Sequence, residues 1–152
     1  MKRTLVLALV IALVLVAGVI AVGLFARPRV TQADIPLYPA AQESTFEGAF
    51  EIPLDLVATE VQLALRERYG PADNEIYTLP PGADWEAIQR FYGGEFAKDG
   101  WRLDDELSRL QHDKYKMAVW KRGLLDPQAV AVVLVPQPGG TDNDYLLVLV
   151  TR

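Results

Sequence analysis

Asp84-Trp85-Glu86-Ala87-Ile88-Gln89-Arg90-Phe91-Tyr92-Gly93-Gly94-Glu95-Phe96-Ala97-Lys98-Asp99-Gly100-Trp101 reads as a helix that stops and turns into a strand. Trp85, Ile88, Tyr92 and Phe96 recur at helical spacing and form one narrow apolar stripe, with Phe91 at its flank. Asp84 is placed to cap the first turn, and Lys98-Asp99-Gly100 is a C-terminal stop. The pattern predicts a helix over 84–99. Gly93 and Gly94 inside it cost roughly 1 kcal/mol each relative to Ala, so close packing of this helix against a sheet is expected to offset them.

Downstream, alternation and turn residues predict four strands. Trp101, Leu103 and Leu107 alternate with Arg102, Asp104 and Glu106, giving a strand over 101–107. Tyr115, Met117 and Val119 alternate with Lys116, Ala118 and Trp120 over 115–121. Residues 129–135 and 145–150 are apolar on both faces, so they belong at the centre of a sheet covered on both sides. Arg122-Gly123 and the stretch 138–144 supply the turns. Connections this short make the sheet mostly antiparallel. Upstream, Asp55, Val57, Val61, Ala64, Leu65 and Arg68 mark a helix over 55–69, stopped by Gly70-Pro71, and strands are expected over 44–52 and 75–79. Pro28, Pro36 and Pro39 keep 27–41 extended as a linker. The expected fold class is α+β: a mostly antiparallel sheet of about five strands packed by one or two helices. One helix covers one sheet face. The other face needs the first helix, the linker or a partner chain.

The N-terminus is of a different kind. Residues 4–26 hold no charge in 23 positions and are nearly all Leu, Val, Ile and Ala. As a helix such a run reaches roughly 34 Å, enough for a ~30 Å hydrocarbon core. It is longer than the apolar part of a cleaved signal peptide, its end is a poor cleavage site because Pro28 follows closely, and it lacks the polar face of a buried amphipathic helix. An uncleaved transmembrane signal-anchor is the reading that fits. Without cysteine the chain has no site for N-terminal lipid attachment. Lys2 and Arg3 stand against Arg27 and Arg29 across the segment, a balance that slightly favours an inside N-terminus. Residues 30–152 carry 11 Lys+Arg against 20 Asp+Glu, a net charge of −9. That charge disfavours nucleic acid and anionic lipid surfaces and suits the extracytoplasmic side of a bacterial membrane. The expected organisation is a short cytoplasmic N-terminus at 1–3, an anchor at 4–26, a linker at 27–41 and an extracytoplasmic α+β domain at 42–152.

Two stretches carry a resemblance. Tyr38-Pro39-Ala40-Ala41 resembles a Tyr-Pro-Gly-Ala motif, with Ala40 in the place of Gly. Phe91-Tyr92-x-x-x-Phe96-x-x-x-Gly100-Trp101 resembles Phe-Tyr-x-x-x-Leu-x-x-x-Gly-Trp, with Phe96 in the place of Leu. Both motifs mark small exported or membrane-anchored bacterial domains, most of them of unassigned function. The resemblance implies an anchored α+β domain over 35–152 and brings no catalytic residues with it.

Reactive residue types are sparse. His112, the only histidine, falls in the polar turn Gln111-His112-Asp113-Lys114 and reads as a solvated loop residue. One His and no Cys make a zinc site improbable. On a strand, Asp104 and Glu106 would share a face, a geometry open to a hard cation or an acid/base pair, but a charged edge that discourages aggregation is the stronger reading. Asp142-Asn143-Asp144 has the composition of a calcium loop without its spacing and reads as a hairpin turn. Ser44 and Ser108 have no local base, and no phosphate loop or nucleophile elbow is present. Arg66, Arg68, Lys114, Lys116, Lys121 and Arg122 read as surface ion pairs rather than a nucleic-acid face.

The expectation is therefore a non-catalytic, single-pass, membrane-anchored extracytoplasmic interaction domain. It needs no cofactor and no metal, binds no nucleic acid, and has a protein partner or a second copy of itself as occupant of its apolar surface. A rival reading is a small-ligand or peptide-binding module with a groove between Trp85, Tyr92, Trp101 and Trp120. A hydrolase using Asp104, Glu106 and His112 is the remote third.

Overall fold

The computed structural model describes residues 11–16, 18, 28–44, 54–110, 113–124, 126–137 and 143–152. Contacts divide the chain into two compact units, Met1–Pro28 with Gly123–Asp126, and Arg29–Arg122 with Pro127–Arg152. In the first unit, residues 11–16 and 18 are helical and exposed. The rest of the expected anchor at 4–26 lies outside the described residues. Among the described residues no helix is long and apolar enough to cross a membrane.

The second unit is built on six strands: β1 (Gln42–Glu43), β2 (Ala72–Leu79), β3 (Arg102–Leu103), β4 (Lys116–Arg122), β5 (Gln128–Val135) and β6 (Asp144–Thr151). They form one sheet in the order β1-β2-β6-β5-β4-β3, and every neighbouring pair is antiparallel. The helices are α1 (Leu54–Tyr69), α2 (Trp85–Lys98) and the single turn α3 (Asp105–Ser108), with a 3-10 turn at Gln32–Asp34. The chain leaves β2, crosses one face as α2 and enters the far edge as β3. It then returns by a meander through β4 and β5, so that β6 slots in beside β2.

The sheet separates two cores. Leu54, Val57, Val61 and Leu65 of α1 pack with Tyr115, Met117, Val119, Ala131, Val133, Leu147 and Leu149. Ile88, Tyr92 and Phe96 of α2 pack on the other face with Trp101, Trp120, Val130, Val132, Leu146 and Val148. The alternation along β4 thus assigns faces as the sequence implies. All eight residues of β5 are buried, as are all of β6 except Tyr145. Of the first helix, the linker and a partner chain, it is the first helix that covers the second face: α1 lies on the side that α2 leaves open.

Several boundaries differ from expectation. The sheet has six strands rather than about five. Residues 101–107 are not one strand: β3 stops after Leu103, and Asp104 caps α3 by accepting hydrogen bonds from the Glu106 and Leu107 backbone N–H groups (3.1 and 3.3 Å). Satisfying the open N–H groups of a helix turn is what Asp does well, and here that ends the alternation. β2 begins three residues before the expected 75–79. The strand expected over 44–52 lies outside the described residues beyond Ser44, whose N–H donates to Ile76 (3.2 Å). The linker from Arg29 onward belongs to the folded unit. Val30, Ile35 and Tyr38 pack against the α2 core, the Val30 N–H donates to Gln128 Oε1 (3.1 Å), and Gln32 Nε2 donates to the Val148 carbonyl (3.0 Å).

Both ends of α2 match their sequence signals. Asp84 accepts from the Glu86 N–H (3.0 Å), and Gly100 takes φ 75°, letting the Trp101 N–H reach back to the Phe96 carbonyl (3.0 Å). The reason expected for Gly93 and Gly94 does not hold. A Cβ on either would meet nothing within 4 Å, so close packing does not demand them. Gly94→Ala is therefore expected to stabilise the fold by about 1 kcal/mol, the helix-propensity difference. Paired urea denaturation curves check this.

Candidate functional site

Two groups of side chains gather chemistry or surface. The first surrounds Asp104, which is buried at the start of α3. Besides capping that turn, its carboxylate accepts a hydrogen bond from the Tyr69 hydroxyl at the end of α1 and an ion pair from Lys121 Nζ on β4 (3.2 Å). The Asp104 N–H donates to the Val119 carbonyl (2.7 Å), and Ser108 Oγ accepts the Val119 N–H (2.9 Å). Arg68 makes a two-pronged ion pair with Glu106. One carboxylate thus ties α1, α3 and β4 together at the β3 edge of the sheet.

Burial alone would raise the Asp104 pKa. Hydrogen bonds from Tyr69, the Leu107 N–H and Lys121 outweigh it and hold the carboxyl below its usual range. Burial and the bond to Asp104 push the Tyr69 phenol up, so it stays neutral and donates. The pair expected to share a strand face, Asp104 and Glu106, is thereby separated: one is buried as a cap, the other is held by Arg68 at the surface. His112, the third member of the hydrolase reading, lies outside the described residues. The arrangement is a clamp whose acceptor oxygens are already engaged.

Asp144 has a similar task. It is buried and accepts from the Ala83 N–H (2.8 Å) and the Gln137 N–H (2.9 Å), fastening the turn before α2 to the β5–β6 connection. The connection joins two antiparallel neighbours, as a hairpin does; Asp142 lies outside the described residues. Among the described residues no group of three or more His, Asp or Glu side chains is placed to hold a metal ion.

The second group is aromatic. Tyr92, Trp101 and Trp120 meet around Phe96, with ring centroids 5.5 Å (Tyr92–Phe96), 5.7 Å (Phe96–Trp101) and 5.1 Å (Phe96–Trp120) apart. Tyr92 is fully buried, and burial pushes its phenol up to about 12, opposed by the Tyr38 backbone beside it. Trp85 is half-buried against the same core. The four expected groove residues therefore share one cluster, three of them buried in it and Trp85 packed against it. Trp101 and Trp120 line one pocket of about 320 Å³, together with Gln89, Gly93 and Leu103. The Arg122 guanidinium lies 4.6 Å from the Trp101 ring centroid, a cation–π contact. Sequence reasoning missed Gln89, Gly93 and Leu103. The available signal was the glycine pair, a propensity cost inside an otherwise regular helix.

Asp104→Asn keeps an oxygen for the cap and removes the charge that meets Lys121. It is expected to cost about 1.5–3 kcal/mol at pH 7, the range for a hydrogen bond to a charged group. A depressed folded pKa contributes stability that is complete above the unfolded value and is lost as pH falls through the folded one. The gap between Asp104→Asn and the unaltered chain should therefore close as pH drops below about 4, which denaturation at pH 7 and pH 3 measures. Comparison of the chain with protein-family models, curated proteins and solved structures finds no match.

Proposed function

We propose that this protein is a non-catalytic binding domain held at the extracytoplasmic face of a bacterial membrane by its N-terminal segment. The observation that carries this reading is the uncharged run of 23 residues at 4–26, set before a segment of net charge −9. The contrast matches an anchor and a domain that avoids anionic lipid and nucleic acid. The resemblance of the Tyr38 and Phe91 motifs to those of anchored bacterial domains agrees with it. So does the use of the buried carboxylates: Asp104 and Asp144 are occupied in capping and clamping the fold.

The anchor is tested by fractionation. The full chain is expected to stay with membranes through alkaline carbonate, and a chain lacking residues 1–26 to appear in the soluble fraction. Protease added outside intact spheroplasts should digest the domain. Recovery of the full chain in the carbonate supernatant would overturn the tether, and protection from external protease would overturn the orientation. In-cell crosslinking of the two forms then tests the binding role: a discrete partner captured only by the anchored form is the expected result.

A further inference from the structure

We infer that the β3 edge of the sheet is a docking site for an extended peptide segment of a partner protein. That segment places one large apolar side chain in the pocket under α2 and a carboxylate next to it against Arg102. This rests on the binding role proposed above and specifies its mode.

The register of β3 decides which groups face outward. Arg102 stands opposite Lys121, and the next residue but one, Asp104, donates its N–H to Val119. In an antiparallel ladder, residues alternate between pairing inward and pointing their N–H and C=O away. Leu103, between these two, therefore turns its backbone N–H and C=O outward from the last strand of the described sheet. Those are the groups that an added strand uses.

Side-chain faces follow from the same register. Leu103 sits across from Trp120, which belongs to the α2 core, so Leu103 lies on the α2 side. It is 37% exposed, against 4% for Trp120. The α2 face is thus finished over β4 and unfinished over β3. A residue added opposite Leu103 would direct its side chain to the same side, into the opening bounded by Gln89, Gly93, Trp101, Leu103 and Trp120. At about 320 Å³ the opening is at the lower end of the range for ligand sites and suits one large side chain. Gly93 is the wall that α2 contributes. It is a helix-interior glycine whose missing Cβ would meet nothing within 4 Å, so packing gives no reason for its roughly 1 kcal/mol cost. A side chain at this position would enter the pocket.

Charge selects the occupant. The neighbour of the anchoring residue in an added antiparallel strand lies beside Arg102 on the opposite face. Arg102 is exposed, and among the described residues its side chain makes no hydrogen bond or ion pair. Its cross-strand neighbour Lys121 is committed to Asp104. Arg90, next to Gln89 on α2, is likewise exposed and unpaired among the described residues. The apolar pocket on one face and the Arg102 side chain on the other, adjacent along the edge strand, fit a short segment in which an apolar residue is followed by an acidic one, the local cation outweighing the net charge of the whole. The segment is short because α3 begins at Asp105 and closes the edge.

The test uses the full chain in detergent micelles and a displayed library of random heptapeptides. Selected peptides are expected to share a Phe, Trp, Leu or Ile with Asp or Glu adjacent. Their affinity should fall at least tenfold for Gly93→Leu, which fills the pocket while favouring helix, and be unchanged for Gly94→Ala. Arg102→Glu should weaken binding about threefold, the scale of one cross-strand charge pair, and shift selection toward Lys or Arg. Thermal melts confirm that each variant is folded. A library that yields no binder above the Gly93→Leu background overturns the inference, as do binders indifferent to Gly93→Leu. Sedimentation showing self-association that Gly93→Leu abolishes also overturns it, by assigning the edge to a second copy. If the anchored chain still captures its crosslinked partner with Gly93→Leu in place, the edge mode fails and the tethered binding role stands.

Discussion

Two strands without a polar face govern this molecule. β5 and β6 place Val, Ala or Leu on both sides of the sheet, and such strands are stable only where both sides are dry. A fully buried Val or Leu is worth about 1.5–3 kcal/mol relative to an exposed one, so leaving either face open would forfeit many such terms at once. The topology answers that demand. α1 connects β1 to β2 across one face, and α2 connects β2 to β3 across the other. The meander then delivers β5 and β6 to the centre, beneath both helices. Each crossover is also a cover, which is how a chain of this size encloses a doubly apolar sheet.

The polar groups that enter the interior follow from the same demand. Wherever a cover ends, the chain must turn at the margin of a dry layer, and the turning backbone exposes N–H groups that need acceptors. Asp104 and Asp144 are those acceptors, both buried: Asp104 takes two backbone hydrogen bonds from one turn, and Asp144 takes one from each of two connections. Asp104 also draws in Tyr69 from α1 and Lys121 from β4, so that one charge fixes the position of a helix end relative to the sheet margin. Leaving such a carboxylate buried without its cation would be costly, and Lys121 removes the cost. Carboxylates that suggest chemistry when read along the sequence are thus consumed by the geometry of the cover.

What the sequence makes legible is what periodicity encodes. The stripe of α2, the two faces of β4, the doubly apolar β5 and β6 and the glycine stops at Gly70 and Gly100 are all carried by local spacing. Residues 101–107 were misleading because alternation and capping use the same letters. Trp101, Leu103 and Leu107 do reach apolar or half-apolar surroundings, but Asp104 diverts the backbone into a helical turn between them. The choice depends on Tyr69 and Lys121, which lie 35 residues upstream and on the neighbouring strand, and no local pattern contains them. The aromatic set is legible as a cluster but not as to its depth. Tyr92, Trp101 and Trp120 assemble as the interior of the α2 layer, and Trp101 and Trp120 also line the pocket at its margin.

That margin follows from the cover as well. A helix laid across a twisted sheet cannot match its outline everywhere, and the last strand is the place where the two diverge. Proteins usually protect such an edge by shortening it or turning the chain away. Both devices are present, since β3 has two residues and α3 follows at once. Neither explains why α2 narrows at the same point. An alanine at position 93 would have strengthened the helix and met no obstacle. The glycine that stands there instead borders the pocket beside the edge strand. In a fold whose organising demand is burial, a surface that stays uncovered at a cost to its own helix is the feature least accounted for by folding alone.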